Sequence, residues 1–298
     1  MATATSPAAA FEPRRAQRSL WGDAWRRLIS SATGRIGLAI SLFLIALAVL
    51  VPIVSPYDPT SDRKLADRLK PPALQHPFGT DELGRDILRR VLHGARISIT
   101  VGFIAVLAAV IVGSVLGLIS GFVGGWLDTG AVWIMDLLLA FPSTLLAIAI
   151  VSVLGTDLQN TMIAVAIVEI PIFGRIARSA VLATRNNEYV VAAQTVGAGQ
   201  MRILFRHILP NSITPMLVQA TLSIATAIIS AAALGFLGLG VQPPKPEWGT
   251  MLAGARDYVG QGKWWYATFP GLAIMLTVLG FNLLGDGLRD ALDPRLRR

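Results

Sequence analysis

"EYVVAAQTVGAGQMRILFRHILPN", residues 188–211, lies between two long apolar stretches of a 298-residue chain. It carries Arg202, Arg206 and His207, paired alanines at Ala192 and Ala193, and glycines at Gly197 and Gly199. A connector between neighbouring helices needs only a few residues, so this one has room for structure of its own. Asn186 to Val196 favours a short helix with Ala192, Ala193 and Val196 on a shared face. Gly197-Ala198-Gly199 breaks it, because glycine readily takes backbone angles that turn a helix aside. From Gln200 to Ile208 a second helix is predicted, with Met201, Leu204, Phe205 and Ile208 at i, i+3, i+4 and i+7 and Arg202 and Arg206 on the other side. The expected shape is helix, bend, amphipathic helix, membrane. On pattern alone it reads equally as an interfacial seal of a helix bundle or as a docking surface for another protein.

The chain around it is 53% hydrophobic and 15% charged, with a mean hydropathy of +0.60. Soluble domains carry nearer a quarter charged residues, so a bilayer is the expected solvent. The net charge of +8 invites a nucleic-acid reading. However, the lysines and arginines sit at the edges of apolar runs with no aromatic-interleaved basic face, and membrane topology accounts for them better. The absence of cysteine excludes disulfides and thiolate metal sites. His76, His93 and His207 lie too far apart for metal-ligand spacing, so no metal is expected.

A hydrocarbon core about 30 Å thick needs roughly 20 apolar helical residues. Six segments approach this: Ile36–Val54, Ile97–Ser120, Ala131–Leu154, Thr161–Ile176, Ile213–Leu239 and Thr268–Leu284. The fourth is short because Glu169, Pro171 and Gly174 interrupt it. The expected fold is an all-α polytopic membrane protein with six transmembrane helices. Residues 1–35 form a basic tail and 36–298 one transmembrane domain with a loop over about 55–96. The first apolar run has too long a leader, and no small-residue cleavage site after it, to be a signal peptide. Arginines of the leader, the middle segment and the tail favour a cytoplasmic location for both termini and for residues 184–210. The 55–96 loop, expected on the outer side, is itself rich in lysine and arginine.

Gly113, Gly117 and Gly121 recur every fourth residue in the second span, with Gly125 just beyond it, and predict close packing of another backbone. Ionisable residues inside a bilayer are functional suspects. Asp136 stands near one end of the third span, where pairing with an arginine or capping a helix is the plainer reading. Glu169, near mid-span, either faces a translocation path or pairs with Arg175 or Arg178. Trp248 and Trp264-Trp265-Tyr266 suggest an interfacial aromatic belt. Asp293-Pro294 is expected to stop the last helix.

Residues 188–211 resemble the Glu-Ala-Ala loop of integral-membrane subunits of ABC importers. Ala192, Ala193 and Gly197 match, nine residues follow, and Leu209-Pro210 close the pattern. Val191 stands in place of the motif's glutamate and His207 in place of its isoleucine. "HPFGTDELGRDILRRVLHGARISI" (76–99), "MDLLLAFPS" (135–143), "AALGFLGLGVQPPKPEWGTML" (232–252) and "FPGLAIMLTVLGFNLLGDGLRDALDPRLR" (269–297) resemble the bacterial dipeptide and oligopeptide permeases. The resemblance covers roughly residues 36–298.

It implies a type I importer fold with cytoplasmic coupling helices, in the bacterial inner membrane, with both termini cytoplasmic. It implies a heterodimer with a second, homologous permease subunit, two cytoplasmic ATPases, and an extracytoplasmic peptide-binding protein. The ATPases would dock on Glu188, Ala192, Ala193, Gly197, Ala198, Arg202, Leu209 and Pro210. ATP and Mg would belong to them, with no cofactor on this chain. Consistent with that division, the sequence has no phosphate-binding loop; Gly262-Lys263-Trp264 lacks the required Ser or Thr. The alternative is a self-sufficient secondary transporter, for which Glu169 beside Pro171 is the one hint and internal repeats are lacking.

Overall fold

The computed structural model describes residues 20–293, so the residues before 20 and after 293 in the expected tails lie outside it. Among the described residues it is helical, with two isolated β-bridges and no strand. The helices are α1 (Leu20–Ser30), α2 (Ala32–Val54), α3 (Ile87–Val123), α4 (Gly125–Ala140), α5 (Ser143–Leu154), α6 (Leu158–Thr184), α7 (Glu188–Thr195), α8 (Gln200–Ile203), α9 (Leu209–Phe236), α10 (Trp248–Val259) and α11 (Trp264–Leu292). The last ends directly before Asp293.

Four of these, α2, α3, α9 and α11, are long and apolar enough to cross a membrane, and the α4–α5 pair makes a fifth if its two arms count as one span. The fourth expected span, Thr161–Ile176, corresponds to α6. It is 27 residues long and runs straight through Pro171 and Gly174 instead of being cut short there. It carries Gln159 and Asn160 near one end, Glu169 midway and Arg175 and Arg178 toward the other, and is not among the helices apolar enough to cross. A proline inside a helix loses one backbone bond, yet α6 continues through Pro171, which is buried among its neighbours.

The expected single span over Ala131–Leu154 is a corner instead. α4 and α5 meet at 96°. The cause is local: the residue before a proline is pushed out of helical angles. Phe141, before Pro142, takes φ −89 and ψ 140.

Gly113, Gly117 and Gly121 do form a strip, and α6 lies in it. A Cβ on Gly113 would come within 2.5 Å of the Ile170 carbonyl oxygen, and one on Gly121 within 3.1 Å of that of Arg178. Between them, a Cβ on Gly117 would fall onto the Gly174 carbonyl. The α3–α6 pair is thus backbone against backbone, as small-residue packing in membranes requires. Gly125 is outside the strip, since α3 stops at Val123 and Gly125 opens α4 with open space around it. Val101, Ala105, Ala109, Val165, Phe173, Ile228 and Phe281 fill the common core of α3, α6, α9 and α11.

The bundle has two unlike ends. At about 1.5 Å per residue α3 runs about 55 Å, so its first turns project beyond a core of about 30 Å. There Ile87, Val91, Ala95 and Ile99 stack on Trp248, Met251 and Ala255 of α10 and on Trp265 and Tyr266 of α11. We call this the cap end. Residues 67–86 are folded onto it: Asp81, fully buried, accepts from the Leu83 and Arg85 backbone N–H groups at 2.8 and 2.9 Å. The expected aromatic belt is therefore corrected. Trp248 is 1% exposed and its Nε1–H donates to the Val91 carbonyl at 2.9 Å, Trp265 and Tyr266 are buried beside it, and only Trp264 faces outward. The opposite end holds α7, α8, the N-terminus of α9 and both ends of the described chain, since α1 packs on α11 and Gly34 meets Gly287.

Candidate functional site: the segment between α6 and α9

The decisive stretch folds as two short helices about a bend. Asn187, in extended conformation, precedes α7, and Glu188 sits in its first turn, where a carboxylate favours the helix dipole. At its other end, Gly197 has φ +80. The Ala198 N–H reaches the Ala193 carbonyl at 3.0 Å and the Gly197 N–H the Gln194 carbonyl at 2.9 Å. That pair of bonds is the Schellman arrangement, which needs a left-handed residue where Gly197 stands. No side chain crowds Gly197, so the requirement is one of backbone angle alone.

After the bend, α8 does not end before the membrane. It passes through a π-helical turn, Leu204–Ile208, directly into α9, with the Leu209 N–H bonded to the Leu204 carbonyl five residues back. The wide turn shifts the helical register, and the predicted apolar face is corrected accordingly. Val190, Ile203, Leu204 and Ile208 are the buried residues, packed on Leu118 of α3, Ala177 and Val181 of α6 and Met216 of α9. Met201 and Phe205, expected on that face, stand 68% and 60% exposed. They share the outer surface with Arg202 and Arg206. Val191 and Val196 are exposed too, the latter at 85%.

Of the residues expected to dock a partner, Glu188, Ala192, Gly197, Arg202 and Pro210 are exposed, and Ala193, Ala198 and Leu209 half-buried. Behind them an open cleft of about 550 Å³ is lined by Phe122, Arg185, Val191, Gln194, Ala198 and Gln200 among others. Sequence reasoning missed Phe122, Val123 and Arg185 here, because only the fold brings the ends of α3 and α6 to this surface. The site as a whole can hold a protein surface; its outward groups include apolar side chains, the cations Arg202 and Arg206, the Glu188 carboxylate and the Gln194 and Gln200 amides.

The two intramembrane acids lie elsewhere. Asp136 accepts from Arg175 Nη2 at 2.5 Å with both side chains exposed, the plainer of its two expected readings. Asp128 and Arg178 make a two-point pair at 2.6 and 2.7 Å. With both arginines so engaged, the expected Glu169–arginine pairing does not occur. Glu169, 6% exposed, instead accepts from the Ser223 hydroxyl at 2.8 Å and the Thr226 hydroxyl at 3.1 Å, both on α9. Gln219 Nε2 donates in turn to Ser223 at 3.2 Å. In this conformation Glu169 is a strut between α6 and α9, turned away from open space.

Residues 113–298 match the family model described as binding-protein-dependent transport system inner membrane component. Residues 19–72 match that of the N-terminal TM domain of oligopeptide transport permease C. The chain is 51% identical to the dipeptide transport system permease protein DppC of Alkalihalophilus pseudofirmus, over 94% of this chain and 91% of that one. It is 47% identical to the di/tripeptide transport system permease protein DppC of Pseudomonas aeruginosa, over 97% of both. To the glutathione transport system permease protein GsiD of an Escherichia coli strain the identity is 48%, over 94% and 92%. With family models along most of its length and relatives this similar end to end, the chain belongs to the binding-protein-dependent transport system inner membrane components, the membrane-spanning subunits of ABC importers.

Proposed function

We propose that this protein is a permease subunit that passes short peptides through the bacterial inner membrane, driven by ATP hydrolysed on separate subunits. The observation that carries the reading is the surface around the bend: Val191, Val196, Met201 and Phe205 lie exposed at an end of the bundle where loops and arginines gather. A patch of that kind outside a membrane marks a protein contact. Its proposed occupant is a cytoplasmic ATPase, with Ala192 and Gly197 giving a low surface and Arg202 a charge for it to meet. Two such ATPases, carrying ATP and Mg, would serve this chain and a second homologous permease. An extracytoplasmic binding protein would deliver peptide at the cap end.

ATPase closure would press on the α7–α8 bend. Because α8 is continuous with α9, that motion is transmitted to the span that holds Ser223 and Thr226 against Glu169. Two packings of such a bundle, biased at a distance by nucleotide, constitute the gate. Peptides as cargo follow from the names of the relatives and from the shared length of the chains.

The test uses the absence of native cysteine. Ala192→Cys, expressed with the complete transporter in inverted membrane vesicles, is treated with a short bifunctional thiol–amine crosslinker. The expected product joins this chain to an ATPase and diminishes when nucleotide changes the docked state. Labelling of the same cysteine by an impermeant thiol reagent from outside intact cells would overturn both orientation and docking.

A further inference from the structure

At the cap end a cavity of about 250 Å³ lies between the 55–86 loop, the outer end of α9 and α10, lined by Arg63, Glu82, Arg85, Arg90, Lys245 and Tyr266 among others. Its charges do not balance. Asp81 Oδ2 takes Arg85 Nε at 2.6 Å and stands 3.4 Å from Arg90 Nε, while Oδ1 is occupied by two backbone N–H groups. Glu82 accepts from Arg85 Nη2 at 3.2 Å and from the Tyr266 hydroxyl. Asp62 is held by Arg89 at 3.2 Å. Arg90 shares Asp81 with Arg85 as an ion pair only: it is 5% exposed, yet its Nε and Nη1 make no hydrogen bond. The buried Tyr57 hydroxyl lies beside it. Arg63 and Lys245, exposed at the rim, have no ion-pair partner among the described residues.

A buried guanidinium with unsatisfied donors is costly, and a bound anion removes the cost. We infer that this cavity is a carboxylate-binding site, completed by an anion that enters from solution at the cap end. Arg90 supplies the buried donors, and Arg63 and Lys245 draw the anion in. Glu82 already lines one side, with Asp81 bound to Arg85 and Arg90 nearby, which disfavours a doubly charged group, while a single carboxylate on a short stem matches the space and the excess of cations that Arg63 and Lys245 bring. The carboxylate has two possible sources: a free small solute or an acidic side chain of an extracytoplasmic protein.

Calorimetric titration of the full-length chain in lipid nanodiscs tests this with glycylglycine, acetate and glycylglycinamide as probes. This arm uses the chain alone and holds whether or not the chain imports peptides. Both acids are expected to bind, and the amide at least about tenfold more weakly, the loss of one charge-assisted contact. Arg90→Gln should abolish the difference. Because that variant alters a buried cluster, Arg63→Gln and Lys245→Gln serve as rim variants that leave the packing intact. Each should weaken the acids by a few-fold at low salt and by less at high salt.

If neither acid binds the isolated chain, but the rim variants weaken association of the assembled transporter with its binding protein by about tenfold, the carboxylate comes from that protein. Equal binding of acid and amide overturns the inference. So does the absence of any acid binding when the rim variants also leave that association unchanged.

Discussion

Trp248, Trp265 and Tyr266 at the cap end and Met201, Phe205 and Val196 at the opposite end are residues of one chemical kind with opposite fates. The first three are covered by α3, α10 and the folded 67–86 loop, and the indole N–H groups of Trp248 and Trp265 find carbonyls at 2.9 and 3.3 Å. The other three stand on a bend, exposed among the described residues. Large apolar side chains are left uncovered outside a membrane at the cost of their burial free energy, about 1.5–3 kcal/mol each. The contrast teaches that the large apolar side chains of the cap end are covered within the chain, whereas those of the α7–α8 end are left uncovered by its described residues.

The largest effect that would break this contrast is at Trp248. Trp248→Ala removes a fully buried side chain with its hydrogen bond and is expected to cost about 3–5 kcal/mol. It should lower the unfolding temperature of the purified chain markedly and reduce its abundance in membranes. Little change in either would mean the cap is looser than its packing.

Met201→Asp combined with Phe205→Asp probes the other side. Stability should stay within about 0.5 kcal/mol of the parent, as for exposed substitutions. Uptake by the assembled transporter should nevertheless fall by about tenfold or more, as for the centre of an interface. A matching loss of stability would make these residues part of the bundle's own core.

The smallest effect sharpens the description of the cap. Glu247, 2% exposed and outside the membrane-spanning helices, caps α10 by accepting from the Gly249 and Thr250 N–H groups at 2.8 Å each. Burial pushes its carboxyl above the ordinary range, partly offset by those bonds and by Ser98. A carboxyl whose folded pKa is raised binds more protons in the folded than in the unfolded state. Stability should therefore decline as pH rises from the ordinary glutamate range to the raised value, and level off above it. Glu247→Gln should flatten that part of the stability–pH curve, read from unfolding temperatures across a buffer series. A parent already flat there would show that the hydrogen bonds outweigh burial.

Much of this architecture was legible in the residues. Hydrophobic runs locate α2, α3, α9 and α11. The Gly113, Gly117 and Gly121 spacing announces a close neighbour, and Gly197 between two short amphipathic stretches announces the bend. The same reasoning failed where one local signal competed with another. A proline bent α4–α5 by 96° but left α6 unbroken. The difference lies in context: Phe141 is exposed and free to leave helical angles, whereas Pro171 is held within a packed helix. In the docking surface, helical periodicity assigned Met201 and Phe205 to the inner face because it assumed an ordinary α-helix through residue 208. The π turn was not legible, since no residue in "LFRHI" requires it.

The sequence by itself determined that this chain lives in a bilayer, which stretches are helical, where the bend falls and to which family the chain belongs. Each depends on composition, on periodicity or on residues adjacent in the chain. Only the tertiary structure decided which helix fills the glycine strip, which hydroxyls hold Glu169, which tryptophans are buried and which buried guanidinium keeps donors without a hydrogen bond. Those outcomes depend on groups far apart in the chain competing for the same partners, and that competition is settled only when the helices pack.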